Sequence, residues 1–196
     1  MKFSIHFDRI SLLMLLALVI ENHLSQTLSL LIAALLHECG HLLAARIWHI
    51  PIVSLHISIL GARLEVSDSL LSYWKEWALC ASGPLFSFLF AGIAAWIAST
   101  CYFADSLRLF AMTSLALGLV NLLPVGWLDG GRMFRAMILL LLPHRLASAL
   151  IHTVSFVFLL LLWMTSVYLL LRVGNSLSLF IFSLSLFFRF FLSGTG

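Results

Sequence analysis

Leu36-His37-Glu38-Cys39-Gly40-His41-Leu42 stands inside an apolar stretch that runs from about Leu24 to Ile47. A stretch of this length is read as a helix that crosses a bilayer, which takes about 20 apolar residues. On a helix the four-residue spacing sets His37 and His41 on one face about one turn apart, where two imidazole nitrogens can converge on one zinc ion. Glu38 lies beside that face. It can take a proton from water without occupying a coordination position, the general-base role that metal-assisted hydrolysis requires. The alternative is a polar helix-helix contact. With eight His in 196 residues, an H-E-x-x-H pattern arises by chance in roughly 0.007 chains of this composition. Ionisable groups flanked by Leu35, Leu36, Leu42 and Leu43 are costly in a membrane and are usually functional there.

Outward from this stretch the whole chain is apolar: 62% hydrophobic, 10% charged, mean hydropathy +1.11. A soluble domain carries about a quarter charged residues, so a water-soluble globular protein is excluded. Further apolar stretches run from Ile10 to Ile20, Trp77 to Tyr102, Leu107 to Val125, Leu146 to Leu171 and Leu177 to Leu192. The first is short, needs Phe3 to Phe7 or its neighbours to complete a span, and is followed by no small-x-small cleavage site. Met133 to Leu142 is too short to cross and stops at Pro143, as a partial helix after a break would. From Ile52 to Val66 apolar and polar residues alternate around Gly61, which reads as a β-hairpin at the membrane surface. The expected fold is therefore an all-α polytopic membrane protein with about six transmembrane helices, a short membrane-surface hairpin and a broken helix. It forms a single membrane-embedded domain over residues 1–196.

Eleven Lys and Arg against eight acidic residues give a net charge of +3, but the cations are scattered singly, which excludes a nucleic-acid surface. They read as topology. With the N-terminus inside, nine of them (Lys2, Arg9, Arg46, Arg63, Lys75, Arg132, Arg135, Arg145 and Arg189) fall on the cytoplasmic side and only Arg108 and Arg172 outside. Cys39, Cys80 and Cys101 have no paired spacing and read as free thiols. His6, His23, His49, His56, His144 and His152 read as interfacial residues, and Trp48, Trp74 and Trp77 as an aromatic belt.

Two histidines need a third protein ligand if a coordination position is to stay open for water. Asp129 is the only other acidic residue in an apolar neighbourhood, within Asn121-Leu122-Leu123-Pro124-Val125-Gly126-Trp127-Leu128-Asp129-Gly130-Gly131. Pro124 interrupts the helix, and the glycines allow an irregular backbone that membrane depth tolerates only where protein or a cavity satisfies it. Such a break can aim a carboxylate at a metal; a plain turn residue is the alternative.

These two motifs together resemble the site-2 intramembrane metalloproteases, which pair an H-E-x-x-H helix with a later N-x-x-P-x-x-x-x-D-G segment. Asn121, Pro124, Asp129 and Gly130 match the second motif at full spacing. The resemblance covers about residues 30 to 142 and is most like the sporulation-type, sigma-factor-processing branch. It implies one Zn2+ per chain held by His37, His41 and Asp129, with Glu38 activating water, and a substrate-binding role for Asn121, Pro124 and Gly130. It also implies a membrane-tethered protein substrate, a membrane regulator, and a multi-pass protein of the bacterial plasma membrane. No PDZ domain or cytosolic regulatory domain is expected. Members commonly carry G-P-x-x-N in the span between the motifs; here Gly83-Pro84-Leu85-Phe86-Ser87 ends in serine. Asn121 could bond a substrate carbonyl or a developing oxyanion, or equally a neighbouring helix. The hairpin could offer an edge strand to an extended substrate segment.

Competing readings are weaker. A prenyl-protein-type metalloprotease would draw its third ligand from Glu65 or Glu76, neither of which has apolar helical flanks on both sides. Intramembrane serine and aspartyl proteases are disfavoured because the chain has no G-x-S-G and no G-x-G-D. A membrane transporter would distribute polar groups along a path through the bilayer, and a non-catalytic substrate-binding relative would typically lose Glu38 or a ligand.

Overall fold

The structure is a computed structural model that describes residues 5–7, 24–50, 52–58, 61–66, 72–100, 104–173 and 177–193. The helices are α1 (Leu24–Ile47), α2 (Tyr73–Thr100), α3 (Asp105–Asn121), α4 (Asp129–Leu141), α5 (His144–Val173) and α6 (Leu177–Ser193). Among the described residues three helices are long and apolar enough to cross a membrane: Leu24–Ile47, Tyr73–Thr100 and His144–Arg172. The expected crossing at Ile10 to Ile20 lies outside the described residues. α3 and α6 have 17 residues each, and the apolar stretch read as running from Leu107 to Val125 leaves helical geometry after Asn121.

On α1 and α3 small residues point inward and most large apolar side chains outward, the reverse of a soluble bundle. On α1 the buried positions include Ala33, His37, Gly40, His41, Ala44 and Ala45, while Leu28, Leu31, Ile32, Leu35, Leu42 and Leu43 are exposed. α3 repeats the arrangement, with Ala111, Ser114, Gly118 and Asn121 buried at three- and four-residue spacing. Hydrocarbon tails solvate leucine as well as a protein core does, so helix contacts in a membrane are made by small residues that let backbones approach. Gly40 is one such contact: a Cβ there would lie 2.7 Å from the Ser82 carbonyl oxygen.

α2 is the hub, packed against α1, α3 and α4, and α4 leads on to the α5–α6 pair. Between those last two helices the Ser166 and Ser183 hydroxyls, both fully buried, hydrogen-bond at 2.7 Å. Leu159 of α5, Leu186 and Phe190 of α6 form a buried cluster with Val125 and Leu128 from the break before α4. α1 ends in a Schellman turn: Ile50 N–H donates to the Ala45 carbonyl at 2.9 Å and His49 N–H to Arg46 at 3.3 Å, with His49 in the left-handed region at φ 52°. The following Pro51 could not have continued the helix.

Among the described residues strands are confined to one small sheet of order β1-β2-β3, with β1 at Ile5–Phe7, β2 at Ile52–Ser58 and β3 at Gly61–Val66. β2 and β3 are antiparallel, with Ser58 opposite Gly61 and Leu55 opposite Leu64, and their register shifts between Ile52 and Ser54. β1 runs parallel to β2, with Ile5 opposite Leu55. This corrects the expectation that Ile5 to Phe7 help to complete the first membrane span; the rest of that stretch lies outside the described residues. Ile5-His6-Phe7 alternates with the period of a strand, and backbone pairing with β2 takes up its polar groups.

Candidate metal centre

Three elements meet at one point. α1 supplies His37 and His41, 3% and 5% exposed, and the first residue of α4 supplies Asp129, whose side chain is 14% exposed. Asp129 Oδ2 lies 3.0 Å from His37 Nε2 and 3.1 Å from His41 Nε2. One ligand atom from each residue can be chosen so that all three lie within 4.8 Å of one another, which is the set a metal would need. Glu38, on the same turn of α1 as His37, is partly exposed.

The chemistry of these donors fits a cation at their centre. His41 Nδ1 donates to the Leu79 carbonyl at 2.9 Å; a carbonyl can only accept, so the neutral ring turns the lone pair of Nε2 inward. A carboxylate oxygen is also only an acceptor. Acceptors 3.1 Å apart are held together by a positive charge between them, and a single proton can bridge only one of the two histidine contacts whereas a metal serves all three donors. Space is kept for it by Gly83 of α2. A Cβ on that residue would lie 2.6 Å from His37 Nε2 and would also contact His41 Nε2, so any side chain would fill the space in front of the two imidazole nitrogens.

Local sequence explains how each ligand gets there. Pro84 lacks an N–H and its ring crowds the carbonyl four residues back, which loosens the preceding turn of α2. The Leu79 carbonyl in that turn accepts from His41 and, at 2.6 Å, from the Ser82 hydroxyl. Asp129 is positioned by the break. α3 stops at Asn121, the chain turns through Leu122–Leu128, and Leu128 starts α4 in extended geometry at φ −90°, ψ 162°. The freed backbone is satisfied by protein: Ser155 of α5 donates to the Pro124 carbonyl at 3.1 Å, and Leu128 N–H donates to the Val125 carbonyl at 2.8 Å. At α4's first turn the glycines are dictated by close approach. A Cβ on Gly130 would lie 2.7 Å from Leu122 Cα, and one on Gly131 2.8 Å from Gly126 N. An ion pair between Arg132 of α4 and Glu76 of α2, 3.7 Å apart, ties the same turn to the hub.

The two separated motifs thus come together at His37, His41 and Asp129. Asn121 is buried near the end of α3, where its Nδ2 donates to the Leu117 carbonyl of its own helix at 3.1 Å. Pro124 and Gly130 build the break that carries Asp129. Four contributors to the centre were not singled out from sequence as part of it: Leu79, through its carbonyl, Ser82, Gly83 and Ser87. Ser87, 1% exposed, has its hydroxyl 2.8 Å from His37 Nδ1. The Gly-Pro pair inside an otherwise uninterrupted span was the available signal for the first three.

Comparison with known proteins agrees with this geometry. The sequence pattern of peptidase family M50 matches residues 25–105 and 98–163. Stage IV sporulation protein FB of Bacillus subtilis is 30% identical over 147 residues, which are 74% of this chain and 51% of that protein. The chain therefore spans about half the length of the relative it matches. The site-2 protease from Methanocaldococcus jannaschii superposes with a TM-score of 0.68 at 20% identity, covering 96% of this chain and 89% of that one, which shows a shared fold. With both motifs inside the matched residues and their side chains meeting at one buried point, the chain belongs to peptidase family M50, and its likeness to the sporulation protein is to that family's sporulation-type branch.

Proposed function

We propose that the protein is an intramembrane zinc metalloprotease that hydrolyses a peptide bond within or near a transmembrane segment of a membrane-tethered regulatory protein. The observation that carries this reading is the convergence of His37, His41 and Asp129 donors around the space left by Gly83, with Glu38 one residue from the first histidine. His37, His41 and Asp129 would hold the metal. Zinc at such a site supplies Lewis acidity and makes water a nucleophile near neutral pH.

The chain's own residues do the rest. Glu38 takes the proton of the attacking water and returns it to the leaving amine. Burial of the two histidines among α1, α2 and α4 excludes bulk solvent, while the partial exposure of Asp129 and Glu38 leaves one side open for water and for the peptide. β3 is an edge strand of the sheet, with β2 on one side, and an extended substrate segment could pair along its other edge. Family membership supports a protein substrate tethered in the membrane, with a membrane regulator of access. The cation asymmetry supports a cytoplasmic N-terminus and six crossings in a bacterial plasma membrane, with the sheet at the membrane surface.

The test is cleavage of a membrane-tethered candidate substrate co-reconstituted with wild type or with Glu38→Gln. Cleavage by wild type alone supports the reading. Equal cleavage by the variant removes Glu38 from the mechanism, and a wild type that purifies without zinc removes the metal.

A further inference from the structure

The two histidines are braced differently, and the difference singles out Ser87. His41 Nδ1 meets a backbone carbonyl, Leu79 at 2.9 Å, and at 3.4 Å the Ser82 hydroxyl, whose own proton goes to that same carbonyl at 2.6 Å; both can only accept from the ring, so it is locked with its proton on Nδ1. His37 Nδ1 meets a hydroxyl, Ser87 Oγ at 2.8 Å, which can either accept or donate. The direction of this second bond decides what His37 can do. If the hydroxyl donates, the ring proton sits on Nε2 and points at Asp129, 3.0 Å away, as an ordinary hydrogen bond that occupies the donor a metal needs. If the hydroxyl accepts, the proton sits on Nδ1 and Nε2 offers its lone pair. The serine is held in register by close packing, since a Cβ on Gly118 of α3 would lie 3.1 Å from the Ser87 Cβ.

We infer that Ser87 is a positioning residue that accepts the Nδ1 proton of His37 and thereby holds that imidazole in the tautomer and orientation that present Nε2 as a metal ligand. This rests on the ligand assignment made above.

The experiment uses the full-length chain in detergent, with zinc affinity measured by chelator competition and the visible absorption of the cobalt-substituted protein as a second readout. Ser87→Ala is expected to weaken zinc binding by about 10- to 100-fold, the range found when the outer partner of a ligating histidine is removed, and to change the cobalt spectrum. Ser114→Ala is the matched control. Ser114 is also a buried serine facing the helix bundle, but its hydroxyl has no hydrogen-bond partner among the described residues, so zinc affinity and spectrum should stay at wild-type values. A Ser87→Ala protein with wild-type zinc affinity and an unchanged cobalt spectrum overturns the inference while leaving the ligand set intact. A wild type that binds neither metal overturns the ligand set and the inference together. Should Ser87→Ala not fold, nitrogen NMR of 15N-histidine-labelled, zinc-loaded wild type decides the same point: a His37 proton on Nδ1 supports the assignment, and a proton on Nε2 overturns it.

Discussion

Gly83 faces His37 so closely that a Cβ on the glycine would come within 2.6 Å of the imidazole Nε2. Glycine in a helix interior is ordinarily a liability of about 1 kcal/mol against alanine, but a Cβ on Gly83 would overlap two buried imidazoles, so Gly83→Ala should cost stability by pushing α2 and α1 apart. The added methyl also takes the space between the two histidine Nε2 atoms. The expected outcome is a protein that melts below wild type and whose zinc content falls by more than the loss of stability explains when both are measured well under the melting temperature. Full zinc content in the variant would show that the metal, if bound, sits elsewhere.

Asp129 and Glu38 should separate metal binding from chemistry. Asp129→Ala removes an oxygen placed 3.0 and 3.1 Å from the two histidines, so zinc measured per polypeptide should drop from near one to a small fraction. Glu38→Gln keeps the three ligands and should keep the zinc. Its cleavage rate should fall by at least ~100-fold, the usual contribution of a general base. Zinc indifferent to Asp129 would break the link between the two motifs.

Gly126 in the break and Gly130 in the first turn of α4 should respond oppositely to alanine. Among the described residues nothing lies within 4 Å of a Cβ on Gly126, whereas one on Gly130 would run into the backbone of Leu122. Gly126→Ala is therefore expected to behave as wild type in melting temperature and zinc content. Gly130→Ala forces the start of α4 away from the end of α3, and Asp129, its neighbour, moves with it. Loss of both stability and zinc is expected; a neutral Gly130→Ala would mean that the break is not rigid.

The parts of this site that could be read from sequence are those where one residue type at one spacing has one physical use. H-E-x-x-H on an apolar helix sets two ligands on one face, and α1 occupies the span Leu24–Ile47 that the apolar run marks out. Pro124 with Gly126, Gly130 and Gly131 marks a broken backbone, and Asp129 lies in it. What could not be read was tertiary. Leu79 takes part through its carbonyl, which every residue has, Ser82 looks like any small residue of a membrane helix, and Ser87, though it closes the Gly83-Pro84 pattern, shows no partner for its hydroxyl until α1 is laid beside it. The sheet has the same cause. Ile5-His6-Phe7 is too short to signal a strand beside an apolar run, and only β2 gives it a partner. Asn121 shows the limit from the other side: two outward-facing roles suit an asparagine in a membrane helix, and in the structure its amide bonds back to Leu117 within α3.

Ser155 tests whether the break is supported from behind. Its hydroxyl donates to the Pro124 carbonyl at 3.1 Å from a position on α5 that is 2% exposed. A carbonyl released by a helix break has no water to turn to at membrane depth, so its partner is supplied by the neighbouring helix. Interhelical hydrogen bonds of this kind are worth about 0.6 kcal/mol and at most about 1.7, so Ser155→Ala should destabilise the protein by about 1 kcal/mol in a denaturation series. Ser155→Thr, which keeps the hydroxyl, should recover most of it. Zinc content should stay near wild type in both, because Asp129 is also anchored through the Arg132–Glu76 pair and the glycine contacts of α4. If Ser155→Ala were as stable as wild type, the Pro124 carbonyl would have to find another donor, and α5 would be packed beside the break without holding it.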